Sequence, residues 1–192
     1  MTRITVSQGS ALALPDAHAA HKQQLSALAA DWHPQGFALT VAFGVPCPAG
    51  FSTAPGLLCQ WALARRNNIG KHLQPHICLP APCSLSALAC CPLRPALVAA
   101  GTSNGELLIW DLAQESGDMS VGRSAAGTLD AGHRQEVVAV AWVHSSEEAL
   151  KVSQRERALQ LASISRCCCQ MCICSVTDCA LCSCIEVPLA TP

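Results

Sequence analysis

The sequence has few charges and no excess of either sign. It contains 12 Lys and Arg residues against 13 Asp and Glu residues, and charged residues make up 13% of the chain. This balance indicates neither a basic surface for nucleic acid nor an acidic tail. The phosphate-binding patterns GxGxxG and GxxxxGK[ST] are both absent, and no apolar run reaches the roughly 18 residues of a membrane-spanning helix. We therefore expect no nucleic-acid partner, no membrane insertion and no small-molecule substrate.

Catalytic chemistry is also weakly indicated. Cys78 lies near His72 and His76, which are the residue types of a nucleophilic dyad. Their neighbourhood, however, is interrupted by prolines and has no glycine motif that would form an oxyanion hole. We expect no catalytic residues and no cofactor.

Residues 87–112, ALACCPLRPALVAAGTSNGELLIWDL, are the most informative segment that is present. An apolar run from Ala87 to Cys91 stops at two prolines, which cannot donate to a sheet ladder. A second run reaches Gly101, and the Asn-Gly pair that follows is typical of a hairpin turn. A third run ends at Trp110-Asp111. The segment predicts three antiparallel strands; on its own it also fits an ordinary sheet or sandwich.

The same order of runs and turns occurs elsewhere in the chain, which favours a repeat. Residues 27–44 contain an apolar run, a Pro-containing turn and a second run, and Leu57 to Trp61 supplies a third strand. Residues 137–142, VVAVAW, open the pattern again. Trp61 and Trp110 are 49 positions apart, somewhat more than the roughly 40–45 residues of a propeller blade, so loop insertions are expected at 45–56 and 114–130.

These motifs resemble those of the WD-repeat β-propeller family. The resemblance rests on Gly132-His133, the Ser103-Asn104-Gly105 turn and Trp110-Asp111, with Trp61 in the preceding repeat. In that family, a His, a hydroxyl residue, a turn Asp and the Trp form a buried hydrogen-bonded set. This sequence departs from the pattern, since Asn104 stands at the turn position and Ala62 follows Trp61. The resemblance implies structural roles for these eight residues.

A narrower resemblance is to the intermediate-chain family of cytoplasmic dynein 2, the motor of retrograde intraflagellar transport. It rests on DWHPQGFALTVAFG, on LLCQWALARR and on LPAPCSLSALACCPLRPALVAAGTSNGELLIWDLAQ, in that order, and covers about residues 25–165. It implies a non-catalytic scaffold that binds the dynein heavy chain and other motor subunits, supports cilium assembly and lies in the cytoplasm and cilium in association with the cytoskeleton. A WD-repeat adaptor outside dynein is the alternative.

The predicted fold class is all-β, a partial WD-repeat propeller of about two blades and the start of a third. We expect a flexible or partly helical leader over 1–24, the partial propeller over 25–165, and irregular segments at both ends. Closed propellers have at least four blades, so the sequence is interpreted as a fragment or truncated product.

The last 27 residues change composition abruptly, because they hold eight of the chain's 14 cysteines. Two CxxC pairs, Cys169 with Cys172 and Cys179 with Cys182, have the ligand type of a zinc site, but only six residues separate the pairs, against roughly 15–20 in common two-knuckle sites. Three interpretations stay open: a zinc or redox module, a disulfide framework, and an accidental sequence without evolved structure. We favour the last, with 166–192 a disordered tail and no metal bound.

Overall fold

The computed structural model describes residues 25–47, 52–63, 75–114, 120–123, 133–143, 159–166, 170–177 and 180–188. These residues form twelve β-strands in three four-stranded antiparallel sheets, and no helix occurs among them. The leader predicted over 1–24 lies outside the described residues. The all-β fold class is confirmed, and three separate sheets of four strands are the pattern of consecutive propeller blades.

Each sheet is a meander in which sequential strands are neighbours. The first sheet has the order β1-β2-β3-β4, the central sheet β5-β6-β7-β8 and the third sheet β9-β10-β11-β12. The bounds are β1 Ser26–Trp32, β2 Ala38–Gly44, β3 Gly56–Ala62, β4 Ile77–Ala81, β5 Leu85–Cys90, β6 Leu97–Thr102, β7 Leu107–Asp111, β8 Ser120–Arg123, β9 Val137–Val143, β10 Leu159–Ser165, β11 Gln170–Thr177 and β12 Ala180–Pro188.

The central sheet shows why the sequence pattern locates these strands. β5 ends before Pro92, and the turn through Pro95 closes with a hydrogen bond from Leu97 N–H to the Arg94 carbonyl, 2.8 Å. The Asn-Gly turn joins β6 to β7, with Gly105 at a φ of 90°. Four of the five residues of β7 are buried, the exception being Asp111, as expected of a strand between neighbouring sheets.

The outer strands were not predicted. β4 lies in the proline-interrupted segment around Cys78, and β8 lies within the expected insertion at 114–130. Both are edge strands, and β4 contains Pro80, whose missing N–H is tolerated only at an edge. Short strands with proline or glycine carry little sequence signal, which is why the sequence predicted only three strands in each blade.

The structure differs from the prediction in the C-terminal segment. The sequence predicted only the start of a third sheet and a disordered tail over 166–192, whereas β11 pairs with β10 and β12 pairs with β11. The physical reason is that β10 offers a free edge of backbone donors and acceptors. The tail supplies Ile, Val and Thr, which favour strands, and Cys, which behaves as a small apolar residue.

The core lies between the sheets and uses both faces of the central one. Residues of even number on β6 and β7, such as Val98 and Leu108, pack in a cluster with the first sheet, including Leu58. Their odd-numbered neighbours, such as Ala99 and Ile109, pack in a cluster with Val137, Leu159 and Leu161 of the third sheet. This period of two follows from the alternation of side chains across a strand. Both faces of β6 and β7 are therefore covered by neighbouring sheets.

The inner edge strands β1, β5 and β9 lie side by side and are joined by side chains. The Cys90 N–H donates to Asp31 Oδ2, 2.8 Å, which links β5 to β1. On the other side, Trp142 Nε1 donates to the Ala89 carbonyl, 3.0 Å, and Ser86 Oγ donates to the Val137 carbonyl, 2.7 Å. Asp31, Cys90 and Trp142 all lie near the C-terminal ends of their strands, so the three inner strands run in the same direction.

Gly105 marks a close approach between the β6–β7 turn and the segment that precedes β9, and it yields a test. A Cβ at this position would lie 2.1 Å from the His133 carbonyl oxygen, whereas at Gly36, which also has a positive φ of 76°, a Cβ would meet nothing within 4 Å. We expect Gly36→Ala to lower the free energy of unfolding by about 1–2 kcal/mol, from backbone strain alone. Gly105→Ala should lower it by about 3 kcal/mol or more, because the clash adds to that strain. Urea unfolding of both variants measures the difference; equal losses would contradict the close approach.

Candidate functional site

Ser84 ties the first sheet to the central sheet. It is fully buried, and its hydroxyl accepts a hydrogen bond from the Val45 N–H, 2.9 Å, and donates to the Ala54 carbonyl, 3.0 Å. Its own carbonyl accepts from the Ser103 N–H, 2.9 Å. The described part of the predicted insertion at 45–56 is thus held against the next sheet by Ser84.

Ser103 and Asn104, two of the WD-repeat positions predicted from sequence, belong to the same polar network. Ser103 Oγ donates to the Ser52 carbonyl, 2.8 Å. Asn104 Oδ1 accepts from Thr102 Oγ1, and Thr102 Oγ1 in turn accepts from the Glu106 N–H, 2.8 Å. These bonds satisfy the turn between β6 and β7 internally. The network has a structural role, because the hydroxyls of Ser103 and Thr102 form hydrogen bonds with backbone groups.

His133 is buried and lies opposite Ser163, with 2.9 Å between His133 Nε2 and Ser163 Oγ. This hydroxyl partner is on β10, in the same repeat as the histidine. Ser163 was not singled out from the sequence. Its signal was available, since it is a polar residue at an inward position of the apolar strand LQLASIS.

The remaining WD-repeat positions lie in separate places. Trp110 is buried in the cluster between the first and central sheets, whereas Trp61 belongs to a cluster on β2 and β3, where its ring lies 6.2 Å from that of Phe43. Asp111 Oδ1 accepts from the Ala113 N–H, 3.0 Å, and so caps the turn after β7. Gly132 lies outside the described residues.

One buried charge accompanies the β6–β7 turn. Glu106 is buried and its Oε1 accepts a hydrogen bond from Arg123 Nη2 on β8, 2.7 Å. This bond raises the pKa of Arg123 above its ordinary value. Burial, followed by the nearby charge of Glu106, raises the pKa of the Cys83 thiol, so this thiol is held in its protonated form.

The opposite end of the sheets exposes large apolar side chains. Trp32, Phe37 and Leu93 are 54%, 41% and 46% exposed, and they lie in or beside the β1–β2 and β5–β6 turns. The hydrogen bond between Asp31 and Cys90 brings these two turns to the same end. We call Trp32, Phe37 and Leu93 the apolar turn surface. Exposed apolar groups of this size, clustered at one end, are typical of protein interaction sites.

His33 lies beneath this surface. It is buried, its ring centroid is 3.9 Å from that of Phe37, and its Nδ1 accepts a hydrogen bond from the Gln35 N–H, 3.2 Å. Burial lowers the pKa of His33 below its ordinary value of 6.5. The β1–β2 turn is therefore built around a neutral imidazole.

The candidate zinc ligands are not brought together within the described residues. Cys172 in β11 pairs with Glu186 in β12. Cys182 lies four residues from Glu186 on β12, which separates it from the partner position of Cys172 by roughly 13 Å along the strand. Cys169 and Cys179 lie outside the described residues. In the part of the chain that the structure describes, no group of three His, Cys, Asp or Glu side chains is arranged to hold a metal. That part also contains no helix with the length and hydrophobicity for crossing a bilayer.

The contact between His133 and Ser163 yields a second test. Ser163→Ala leaves a buried ring nitrogen without this partner, which typically costs about 1–3 kcal/mol of unfolding free energy. Ser26→Ala, the same change at a half-buried position of β1, should cost less than about 0.5 kcal/mol. Chemical denaturation of both variants distinguishes them. An unchanged midpoint for Ser163→Ala would show that the pair contributes nothing.

The buried neutral His33 predicts a pH dependence of stability. The unfolded chain binds a proton near pH 6.5, whereas the folded chain binds it only at lower pH, so the unfolded state holds more protons as the pH falls through this range. The stability is fully present above about pH 6.5 and is lost as the pH falls below it. We expect the loss between about pH 7.5 and about pH 5.5 to be smaller in His33→Gln. His76→Gln, at an exposed histidine, is the control and should keep the full loss; equal losses in all three proteins would refute the role of His33.

Comparison with known proteins gives two kinds of similarity. The chain is 31% identical over 124 residues to the human (Homo sapiens) cytoplasmic dynein 2 intermediate chain 2, and 29% identical over 124 residues to the mouse (Mus musculus) protein of that name. The alignments cover 65% of this chain and 22% of each relative, so the chain spans about a fifth of the length of the relatives that it matches. No protein-family model matches the sequence.

The structural comparison concerns the fold alone. A chain of the mitotic checkpoint complex aligns with a TM-score of 0.52 at 16% identity, covering 85% of this chain and 39% of that chain. Sqt1 from Chaetomium thermophilum aligns with a TM-score of 0.56 at 15% identity, covering 86% and 36%. Both neighbours are WD40 propeller proteins. The chain therefore has the fold of part of a WD-repeat β-propeller and, over 124 residues, a sequence similar to that of cytoplasmic dynein 2 intermediate chain 2.

Proposed function

We propose that the chain is a non-catalytic scaffold that binds the dynein 2 heavy chain and other subunits of that motor. The observation that carries this proposal is the similarity to cytoplasmic dynein 2 intermediate chain 2, at 31% identity over 124 residues. Through such binding, the chain would support retrograde intraflagellar transport and cilium assembly. Its place would be the cytoplasm and cilium, in association with the cytoskeleton.

The chemistry of the described residues supports a binding role. The buried polar side chains of the site, such as Ser84 and His133, are used in bonds that hold sheets and turns together. The thiol of Cys83 is kept protonated by burial. By contrast, the apolar turn surface is accessible and contains a tryptophan, the residue type most enriched among the side chains that dominate protein interfaces.

We further propose that the apolar turn surface is the contact for the heavy chain. The two turns are held at a fixed separation by the bond from Cys90 to Asp31, and His33 supports Phe37 from beneath. Trp32 and Phe37 therefore stand on a rigid base, which limits the ordering cost of binding. Pro34, Pro92 and Arg94 are exposed around them and would form a rim.

The test is co-purification of the dynein 2 heavy chain with this chain and with its Trp32→Ser variant. Truncating a central apolar anchor typically costs about 2 kcal/mol or more, so we expect at least a roughly 30-fold loss of affinity. Val138→Ser is the matched control, because Val138 is also apolar and 47% exposed but lies on β9, away from the two turns.

The outcomes separate the two parts of the proposal. Loss of binding in Trp32→Ser with retention in Val138→Ser supports both the partner and the surface. Equal binding by both variants would refute the surface while leaving the partner in place. Absence of binding by the unchanged chain would refute the dynein heavy chain as its partner and favour a WD-repeat adaptor outside dynein.

A further inference from the structure

Two cysteines of the first sheet face each other across neighbouring strands. Cys59 of β3 and Cys78 of β4 are direct partners in the antiparallel register, and their Sγ atoms are 3.6 Å apart. The next pair in the register is Leu58 and Leu79, and both of these side chains pack in the cluster on the face toward the central sheet. The alternation of the strands therefore places both thiols on the other face of the sheet.

The backbone geometry already suits a disulfide. Directly opposed residues of antiparallel strands have Cα atoms about 4.5–5.5 Å apart, which lies within the roughly 4.4–6.8 Å found in disulfides. The two sulfurs need to approach from 3.6 Å to about 2.05 Å, which rotation of the side chains can supply. No further described His, Cys, Asp or Glu joins them to make a metal site.

The two thiols differ in environment. Cys59 is fully buried in a cluster with Phe43, Leu57 and Trp61. Burial, and then the proximity of Cys78, raise the pKa of Cys59 far above its ordinary value. Cys78 is exposed on the outer edge strand. An oxidant in solution therefore meets Cys78 first, and Cys59 is the second thiol within reach.

We propose that Cys59 and Cys78 form a reversible disulfide, driven by peroxide, that fastens the edge strand β4 to the first sheet. In the first step, the Cys78 sulfur attacks one oxygen of hydrogen peroxide and the O–O bond breaks. Cys78 becomes a sulfenic acid, and the departing hydroxide takes the thiol proton to leave as water. In the second step, the Cys59 sulfur attacks the Cys78 sulfur, the S–S bond forms and the S–O bond breaks. The departing hydroxide takes the Cys59 proton as a second water, so two thiols are oxidised and one peroxide is reduced.

The disulfide has a structural consequence for an edge strand. β4 is short, contains Pro80 and pairs on one side only, with β3. A covalent link across this pair closes a loop of the chain between positions 59 and 78. Such a loop restricts the unfolded state and so stabilises the folded one. For a loop of that size in a chain of this length, the stabilisation corresponds to a rise of about 6–12 °C in Tm. A dithiol reductant would reverse the change.

The test uses the full chain, because its other cysteines compete for the oxidant. The reduced protein is treated with about one equivalent of hydrogen peroxide, unfolded, blocked with iodoacetamide, digested without reductant and mapped by tandem mass spectrometry, and its Tm is measured before and after oxidation. We expect a linkage between Cys59 and Cys78, and a Tm rise of about 6–12 °C that dithiothreitol reverses.

Two variants make the result specific. Cys78→Ser should abolish both the linkage and the Tm rise, and Cys47→Ser, a control at a half-buried cysteine near the first sheet, should keep both. Cys59 and Cys78 recovered in alkylated form, or linked to other cysteines, would overturn the proposal, as would an oxidised Tm equal to the reduced one. If Cys78→Ser does not fold, the linkage map and the reversible Tm change of the unchanged protein decide the question.

Discussion

The structure depends on one constraint, which is that the central sheet is apolar on both faces. Val98 and Leu108 need the first sheet to cover them, and Ala99 and Ile109 need the third. A sheet of this kind has no stable solvent-exposed form, so folding of each sheet is coupled to the presence of its neighbours. The three sheets therefore pack face to face, because this is how two-faced sheets bury their apolar area.

Packing between the faces of the sheets leaves backbone N–H and carbonyl groups of the inner edge strands without a partner in the sheet, and side chains form hydrogen bonds with some of these groups. The Asp31 carboxylate accepts from the Cys90 N–H, and the Trp142 indole donates to the Ala89 carbonyl. At the other end, Ser84 and Ser103 perform the equivalent task for the loops. Among the described residues, these polar side chains act as links between sheets and loops, whereas Trp32, Phe37, Leu93 and Cys78 are exposed.

The similarity to a dynein intermediate chain and the fold of WD40 propellers agree with this distribution. The scaffold role proposed above needs a rigid body and an accessible contact surface, and it needs no activated nucleophile. The buried Cys83, whose pKa is raised by burial, and the internally satisfied turn at Asn104 both fit that description. The fold alone does not fix a partner, because propellers of one architecture serve many functions.

The sequence by itself determined the strands whose signals are local. The apolar runs predicted over 96–101 and 106–111, which are bounded by proline and by an Asn-Gly turn, form β6 over Leu97–Thr102 and β7 over Leu107–Asp111. It did not determine β11 and β12, because their formation depends on the free edge of β10, which exists only in the folded sheet. In the same way, the proximity of His133 to Ser163 and of Cys59 to Cys78 was decided by strand register. Register is a property of paired strands, and no single stretch of sequence contains it.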